Sequence, residues 1–366
     1  MNYFYFFPLV FYFLSLFRLT FRSFATNYNF GLALMILIFI TGTRWFSDAD
    51  FEGYFYIYQE VPLLESFNIE STRHIYGEIG YLFFVSLFKT LGLHFTVFVF
   101  SASVTSILLK YYFLSRFNLG YFAFSIYLLI SFVSVEFIEL RWSVSISFIL
   151  LAYYYGLFHK RILLVLIFFI FSLMFHYYSV LFIALFFLLL VVRSSYFYFV
   201  AFYISLLAAF YIYINGFNFN ANVDSDLYLI ERFFRYLNDP DSKVGLFSIL
   251  KVLYFLSFYH FMSWLGKSIL FSATERIALF AFLLIYSVAL CFSFVPVFYF
   301  RASAVGDLFG LVMIFIASGR IKNVSKRILL LFVFSIPFLL WFLIDISNSF
   351  DSERIFNYSS SIELII

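Results

Sequence analysis

The chain has 366 residues, of which 64% are hydrophobic and 12% are charged, and its mean hydropathy is +1.00. A soluble domain carries roughly 45–50% apolar and about 25% charged residues, so this composition excludes a soluble globular fold. The net charge of +3, without a long run of Lys or Arg, also gives no reason to expect a nucleic-acid partner.

Long apolar runs follow one another along the chain, without the alternation of polar and apolar residues that is typical of a membrane β-barrel. Because lipid offers backbone amides no hydrogen-bond partner, such runs are expected to cross the membrane as α-helices. We therefore predict an all-α, polytopic integral membrane protein with a single transmembrane domain over residues 1–366. About twelve transmembrane helices are expected, centred on residues 3–17, 30–43, 94–114, 119–138, 143–158, 162–175, 178–192, 196–214, 247–265, 277–296, 303–318 and 328–345.

The connection formed by residues 44–78 is long and carries seven carboxylates. Its segment FEGYFYIYQEVP has an aromatic stripe with helical spacing, which predicts an interfacial helix. The stripe consists of Phe51, Tyr54, Phe55 and Tyr58. The apolar stretch that follows, residues 79–92, is short and is interrupted by Gly80, Lys89 and Gly92. We predict that it is a re-entrant or interfacial helix that does not cross the membrane.

A second long connection covers residues 215–246. Asp224 or Ser225 is suited to begin a helix there, and Asn238-Asp239-Pro240 is suited to end it. The apolar stripe between them predicts another interfacial helix, whose polar face includes Arg232.

The distribution of Lys and Arg over the connections predicts the orientation of the chain. If alternate connections are assigned to opposite sides, nearly all carboxylates lie on one side, and Glu275 is the exception. Basic residues collect on the other side, which is then cytoplasmic, and both termini face outward. This sorting requires that residues 79–92 do not cross. The basic side includes Arg18, Arg22, Lys110, Arg116, Lys160, Arg161, Arg193, Lys267, Arg276, Arg320, Lys322, Lys326 and Arg327.

Charged residues and a histidine at the outer helix ends are the candidates for chemistry, because a charge there is costly unless it is paired or functional. A single Arg at a helix end commonly reaches lipid headgroups, and an acidic loop is often only a solvated surface. Convergence of several such residues on one face from distant parts of the chain favours a site. The candidates are Arg44, Asp48, Asp50 and Glu52 in GTRWFSDADFEGY, Glu78 in GEIGY, Glu136, Glu139 and Arg141 in VEFIELRWS, His176 in MFHYYS, and Arg301 and Asp307 in FYFRASAVGDLF.

The order and spacing of these motifs over residues 30–190 resemble the EpsG and Wzy-like family of bacterial polysaccharide polymerases. The shared features are G-x-R followed by acidic residues and Tyr, then E-x-G-Y, then Arg141 at the start of a span, and Phe-His after a span; later spans agree in hydropathy and in Arg301. The chain departs from the pattern at Trp142, where the family usually has Gln, and at Tyr178, where it usually has Ser.

The resemblance implies that the protein joins lipid-diphosphate-linked oligosaccharide repeat units at the outer leaflet of the bacterial cytoplasmic membrane. Fixed arginines suit the departing diphosphate because the guanidinium binds phosphate oxygens bidentately and stays charged. We assign Arg44, Arg141 and Arg301 to diphosphate binding, with Arg232 as a further candidate. Asp50, Glu78 and His176 are candidates for the base or for orienting the acceptor hydroxyl.

No cofactor and no metal are expected, since the arginines can supply the countercharge and no metal-ligand spacing is present. The expected partners are the lipid-linked oligosaccharide and membrane lipids, with chain-length regulators and flippases as further candidates. A flippase for lipid-linked sugars is an alternative, although it should carry more charge at mid-membrane and show repeated halves. Another lipid-linked glycosyl or acyl transferase, such as an O-antigen ligase, shares the leaving group and stays open as well. A structural or scaffold role is the third alternative, and the outward convergence of charged side chains argues against it.

Overall fold

The computed structural model of the protein describes residues 3–20, 27–117, 120–215, 244–266 and 272–356. Within these ranges the regular structure is helical, and the extended backbone forms an isolated antiparallel bridge between Asp48 and Ile355. The α-helices are α1 (Phe7–Thr20), α2 (Asn27–Gly42), α3 (Phe51–Glu60), α4 (Ile69–Thr72), α5 (Ile79–Thr90), α6 (Phe95–Ser115), α7 (Gly120–Ser131), α8 (Leu140–Tyr153), α9 (Ile162–Phe175), α10 (Ser179–Val191), α11 (Ser195–Asn215), α12 (Leu246–Leu265), α13 (Ala273–Cys291), α14 (Pro296–Ser318) and α15 (Val324–Asp351). Short 3₁₀ turns precede α1 and α4, and π-helical turns extend α7 and α8, at Tyr3–Phe6, Leu64–Ser66, Phe132–Ile138 and Tyr154–Phe158.

Each of the twelve apolar runs in the sequence coincides with a helix. Among the described residues, eight helices are long and apolar enough to cross a membrane, and four more apolar helices are shorter. The chain is therefore an all-helical, polytopic membrane protein, as predicted. The second predicted interfacial helix, over residues 224–240, lies outside the described residues.

The helix predicted for FEGYFYIYQEVP is present as α3, and its aromatic face packs against protein; its position at the membrane interface stays a prediction. Phe51 and Tyr54 are 0% and 6% exposed. Phe51 packs edge-on against the ring of Phe95, which begins α6, at 5.3 Å between centroids. The aromatic stripe therefore forms part of a protein core beneath the long connection. Its apolar side chains are buried against neighbouring helices, which serve the amphipathic pattern as well as lipid would.

Both ends of α5 contact the connection formed by residues 44–78. At the carboxyl end, Lys89 Nζ donates to the carbonyl oxygens of Gln59 and Val61, each at 2.7 Å. Near the amino end, the ring of Tyr81 lies 6.4 Å from that of Tyr54. The twelve residues of α5 span about 18 Å, and the prediction that this helix does not cross the membrane stays a prediction.

The described chain divides into two compact units. Unit 1 comprises Met1–Ala184 and Asn323–Ile366, and unit 2 comprises Leu185–Lys322. In unit 1, α15 packs on α1 and α7, and α6 packs on α2 and α8. In unit 2, α14 packs on α12 and α13, and α11 packs on α13. The prediction of a single transmembrane domain stays a prediction.

Candidate functional site

Arg141 lies in the first turn of α8, because the preceding helix is interrupted just before it. The π-helical turn after α7 ends at Ile138, and Glu139 then adopts a non-helical backbone conformation with φ −84° and ψ 66°. The amino end of a helix carries a partial positive charge, so a cation in its first turn favours an anion nearby. π-Helical turns within helices occur frequently at functional sites.

Glu78 provides that anion. Its Oε2 accepts a hydrogen bond from Arg141 Nη1 at 2.7 Å, and the two side chains are 8% and 9% exposed. Its Oε1 accepts a longer hydrogen bond, 3.4 Å, from the backbone N–H of Tyr177. The Nδ1 atom of His176 lies 3.9 Å from the same oxygen. Three of the predicted site residues, from distant parts of the chain, thus meet at one buried point.

Three tyrosine rings surround the Arg141 guanidinium. Its central carbon lies 4.6 Å from the ring centroid of Tyr76, 5.3 Å from that of Tyr81 and 5.7 Å from that of Tyr54. Ring faces stabilise a cation without using its N–H donors. Among the described residues, the buried Nε of Arg141 has no hydrogen-bond partner. Arg141 therefore retains a donor for a ligand even while it is paired with Glu78.

His176 ends α9, and its imidazole has a defined tautomer. The backbone N–H of Tyr178 donates to His176 Nδ1 at 3.2 Å, so the neutral ring carries its proton on Nε2. Because Nδ1 is already an acceptor for the backbone, this geometry favours an orienting role over that of a base. Trp142 and Tyr178, the two departures from the family pattern, pack against each other at 5.5 Å between ring centroids, and Trp142 also lies against the imidazole.

Arg44 is fully buried and forms a second ion pair at the same end of unit 1. Its Nε donates to Asp48 Oδ2 at 2.8 Å, and its Nη1 donates to the carbonyl oxygen of Thr41 at 2.7 Å. Its guanidinium lies 5.1 Å from the ring of Phe137, four residues before Arg141. Its Nη2 is buried and has no hydrogen-bond partner among the described residues. Arg44 thus repeats the arrangement of a paired guanidinium with one unused donor.

Residues 354–356 hold the segment around Asp48 in place. The backbone N–H of Ala49 donates to the carbonyl oxygen of Arg354, and that of Phe356 donates to the carbonyl oxygen of Ser47. Burial in this environment raises the pKa of Asp48 to about 6, although the Arg44 guanidinium acts in the opposite direction. The sequence did not identify Asp48 as the partner of Arg44, because its position depends on this long-range pairing.

The remaining predicted site residues are less closely placed. Asp50 is exposed immediately before α3, and its charge contributes to the raised pKa of Asp48. Arg301 lies in the second turn of α14, in unit 2, and its buried Nε has no hydrogen-bond partner within the described ranges. Arg232 lies outside the described residues. The convergence of Arg301 with Arg44 and Arg141 stays a prediction.

The assignment of Lys110 to a cytoplasmic connection is wrong, because this residue lies inside α6 and is fully buried. Its Nζ contacts Glu136 Oε1 at 2.6 Å and also donates to the hydroxyl oxygens of Ser106 and Ser143. Tyr127 donates to the same carboxylate oxygen at 2.6 Å. Glu136 is therefore part of a saturated network inside the helix bundle and not an exposed group at a helix end.

The described part of unit 2 contains two further buried ion pairs. Asp307 lies well inside α14 and pairs with Lys251 at 2.7 Å, while Glu275, the carboxylate on the predicted cytoplasmic side, pairs with Arg320. Within the described ranges, no three His, Cys, Asp or Glu side chains are grouped to hold a metal ion. The expectation of a reaction without a metal stays a prediction.

Comparison with known proteins gives a family for nearly the whole chain. The model of the EpsG family matches residues 27–360. No curated protein and no solved structure matches the chain. The matched range includes the Arg44–Asp48 pair, the cluster of Arg141, Glu78 and His176, and Arg301. The chain belongs to the EpsG family and is a multi-pass membrane protein of polysaccharide biosynthesis.

Proposed function

We propose that this protein polymerises polyprenyl-diphosphate-linked oligosaccharide repeat units at the outer face of the bacterial cytoplasmic membrane. The observation that carries the proposal is the buried contact of Arg141 with Glu78, beside His176. It combines a cation for a phosphate with groups that can handle a hydroxyl proton. Membership of the EpsG family supports the same substrate class.

The reaction transfers the growing chain from its lipid carrier to the incoming unit. A hydroxyl oxygen of the incoming sugar forms a bond to the anomeric carbon of the growing chain, and the bond from that carbon to the diphosphate oxygen breaks. The polyprenyl diphosphate leaves with the bonding electrons. Arg141 and Arg44 stabilise the charge on this leaving group, as donors fixed before the reaction do in general. Arg301 and Arg232 are proposed to add to this charge.

The proton of the attacking hydroxyl needs an acceptor close to the arginine. Glu78 is the best placed of the three candidates, because its carboxylate touches Arg141 directly. His176 then orients the acceptor through its ring, and Asp50 contributes negative charge at the mouth of the site. The lipid-linked oligosaccharide is the proposed substrate, and a chain-length regulator and a flippase are proposed partners in the same membrane.

Cells that carry Arg141→Ala or Arg44→Ala test the proposal. Compared at matched amounts of inserted protein, each variant should leave single repeat units on the lipid carrier, because the leaving diphosphate is no longer stabilised. Arg73→Ala, which changes an exposed arginine in the same connection, is the matched control and should give normal polymer.

The place where repeat units accumulate distinguishes the alternatives. A polymerase defect leaves them on the outer leaflet, whereas a flippase defect leaves them on the inner leaflet. A ligase defect leaves long polymer on the lipid carrier. Normal polymer in both Arg141→Ala and Arg44→Ala would contradict the proposed site.

A further inference from the structure

The Arg141 site is occupied by an anion that belongs to the protein itself. Glu78 binds Nη1 through one carboxylate oxygen at 2.7 Å, and its other oxygen has only the longer contact with the Tyr177 amide. A phosphate presents oxygens of the same kind, with more charge and a geometry that the guanidinium fork binds bidentately. Glu78 therefore occupies the position that a substrate phosphate needs.

The unused donor of Arg141 indicates that this carboxylate is not its final ligand. Nε is buried and has no hydrogen-bond partner among the described residues, and a buried N–H without a partner is costly. A diphosphate can accept hydrogen bonds from Nε and Nη1 together, because it presents several oxygens to the arginine. Glu78 directs only one oxygen toward the arginine. Arg44, with its unpartnered Nη2 beside Asp48, shows the same incomplete pairing.

Glu78 is in a position to leave. It precedes the first residue of α5 with an extended backbone, φ −71° and ψ 139°, and its side chain does not cap that helix. Gly77 before it has φ +150°, a conformation that L side chains rarely adopt. Tyr76, whose ring lies over Arg141, is 41% exposed. The segment that carries the carboxylate thus lies at the accessible side of the site.

We infer that Glu78 is a displaceable place-holder: the diphosphate of the growing chain displaces it from Arg141, and the released carboxylate then takes the proton of the acceptor hydroxyl. This inference rests on the proposed function and specifies the order of its steps, with diphosphate binding before proton transfer. While Glu78 is paired with Arg141, its carboxylate is held against the guanidinium and is not directed at an acceptor hydroxyl. Once a diphosphate has taken its place, the O–H proton passes to Glu78 as the new glycosidic bond forms and the bond to the diphosphate breaks.

Binding of inorganic pyrophosphate to the purified full-length protein tests the displacement. Glu78→Gln removes the competing charge but keeps the size of the side chain, so it should bind pyrophosphate more tightly, by roughly tenfold, which corresponds to about 1.4 kcal/mol. Glu78→Asp, which keeps the charge on a shorter side chain, should lie between Glu78→Gln and the native protein. It also provides the readout if the Gln variant does not fold. Arg141→Ala should lose the binding in all backgrounds.

Chain extension with the same variants supplies the second readout. Glu78→Gln should extend lipid-linked units far more slowly than the native protein although it binds pyrophosphate more tightly, a combination that a merely structural role of Glu78 does not produce. Asp48→Asn removes the carboxylate that is paired with the neighbouring Arg44. It shows how much chain extension changes when a different carboxylate at the same end of unit 1 loses its charge. It should change extension less than Glu78→Gln does.

Equal or weaker pyrophosphate binding in both Glu78 variants would overturn the displacement. That result would leave the proposed polymerase intact, provided that Arg141→Ala still abolishes extension. Conversely, tighter binding in Glu78→Gln together with unchanged chain extension in every variant would support displacement of the carboxylate by a diphosphate, but it would contradict both the role of Glu78 as the base and the assignment of chain extension to this site.

Discussion

Arg44 and Arg141 are both buried, and each is paired with a carboxylate and retains one nitrogen without a hydrogen-bond partner among the described residues. A buried ion pair contributes little net stability, because the cost of removing two charges from water offsets their attraction. The two pairs are therefore better explained as prepared anion-binding positions than as structural links. Their carboxylates keep the cations from being buried alone until substrate arrives.

Asp48 allows a test of this environment through pH. Its pKa rises from 3.8 to about 6 on burial, so the folded protein binds its proton more tightly than the unfolded chain does. The stabilising contribution is then fully present below about pH 4 and is lost as the pH rises through about 6. A rise of this size corresponds to roughly 3 kcal/mol.

We expect Asp48→Asn to flatten the pH dependence of thermal unfolding in detergent between about pH 4 and 7, relative to the native protein. Glu353→Gln changes an exposed carboxylate next to the residues that pair with the Asp48 segment. It is the control and should leave the pH profile unchanged. If the Asp48→Asn profile kept the full slope of the native one, the buried environment assigned to Asp48 would be wrong.

Sequence patterns identified Arg44, Glu78, Arg141 and His176 individually, because a charge or an imidazole at the end of an apolar run is unusual. They could not identify which carboxylate accompanies which arginine. Asp48 and Asp50 are two residues apart in one acidic segment, yet one is buried and the other is exposed. The difference arises from backbone pairing with residues about 300 positions later, for which the sequence carries no local signal.

At the scale of the elements, the Lys110–Glu136 pair links α6, the π-helical turn and α8. Both side chains are fully or almost fully buried, and each acceptor oxygen of Glu136 is occupied. The charge rule placed Lys110 in a connection because this residue lies near the end of an apolar run. The periodicity of a sequence cannot show that another helix carries a carboxylate to pair with it. Membrane helices commonly keep such a residue only when it is paired.

Removal of one partner of this pair should be more harmful than removal of both. Lys110→Met leaves Glu136 charged and buried without its cation, so we expect a loss of roughly 3–5 kcal/mol in unfolding free energy. Lys110→Met combined with Glu136→Leu replaces the pair by apolar packing and should recover much of that loss. Thermal unfolding of the single and double variants measures the coupling, and simple additivity of the two losses would contradict it.

The packing of α5 on α9 can be tested at a glycine. A Cβ atom on Gly80 would lie 2.3 Å from Cβ and 2.6 Å from Cα of Met174, so Gly80→Ala must push the two helices apart. Glu78 and His176 lie two residues from this contact, and their separation should increase with it. We expect about 1–3 kcal/mol of destabilisation and a loss of chain extension.

Gly53→Ala is the matched control, because nothing lies within 4 Å of the added Cβ on α3. It should be neutral, or stabilise the protein by up to about 1 kcal/mol through helix propensity. If Gly80→Ala behaved like Gly53→Ala in both stability and chain extension, the close approach of α5 to α9 would not determine the positions of Glu78 and His176.

For the whole molecule, hydropathy was sufficient to predict the helical runs and the class of membrane protein, because each long run has no alternative to a helix in lipid. The order of the motifs was sufficient to predict the family. Lys110 no longer counts among the cytoplasmic basic residues, and the remaining Lys and Arg residues still predict the same orientation. The association of Arg301, in unit 2, with the arginines of unit 1 stays a prediction from the sequence.

Reconstitution with a defined substrate tests the central claim most directly. The purified protein is placed in vesicles with one lipid-linked repeat unit and no other enzyme, and the products are separated by length. We expect the native protein and Arg73→Ala to produce a ladder of extended chains, and Arg141→Ala to leave only the single unit although it is inserted and folded. A ladder of normal length from Arg141→Ala, or no ladder from the native protein with its correct repeat unit, would contradict the account.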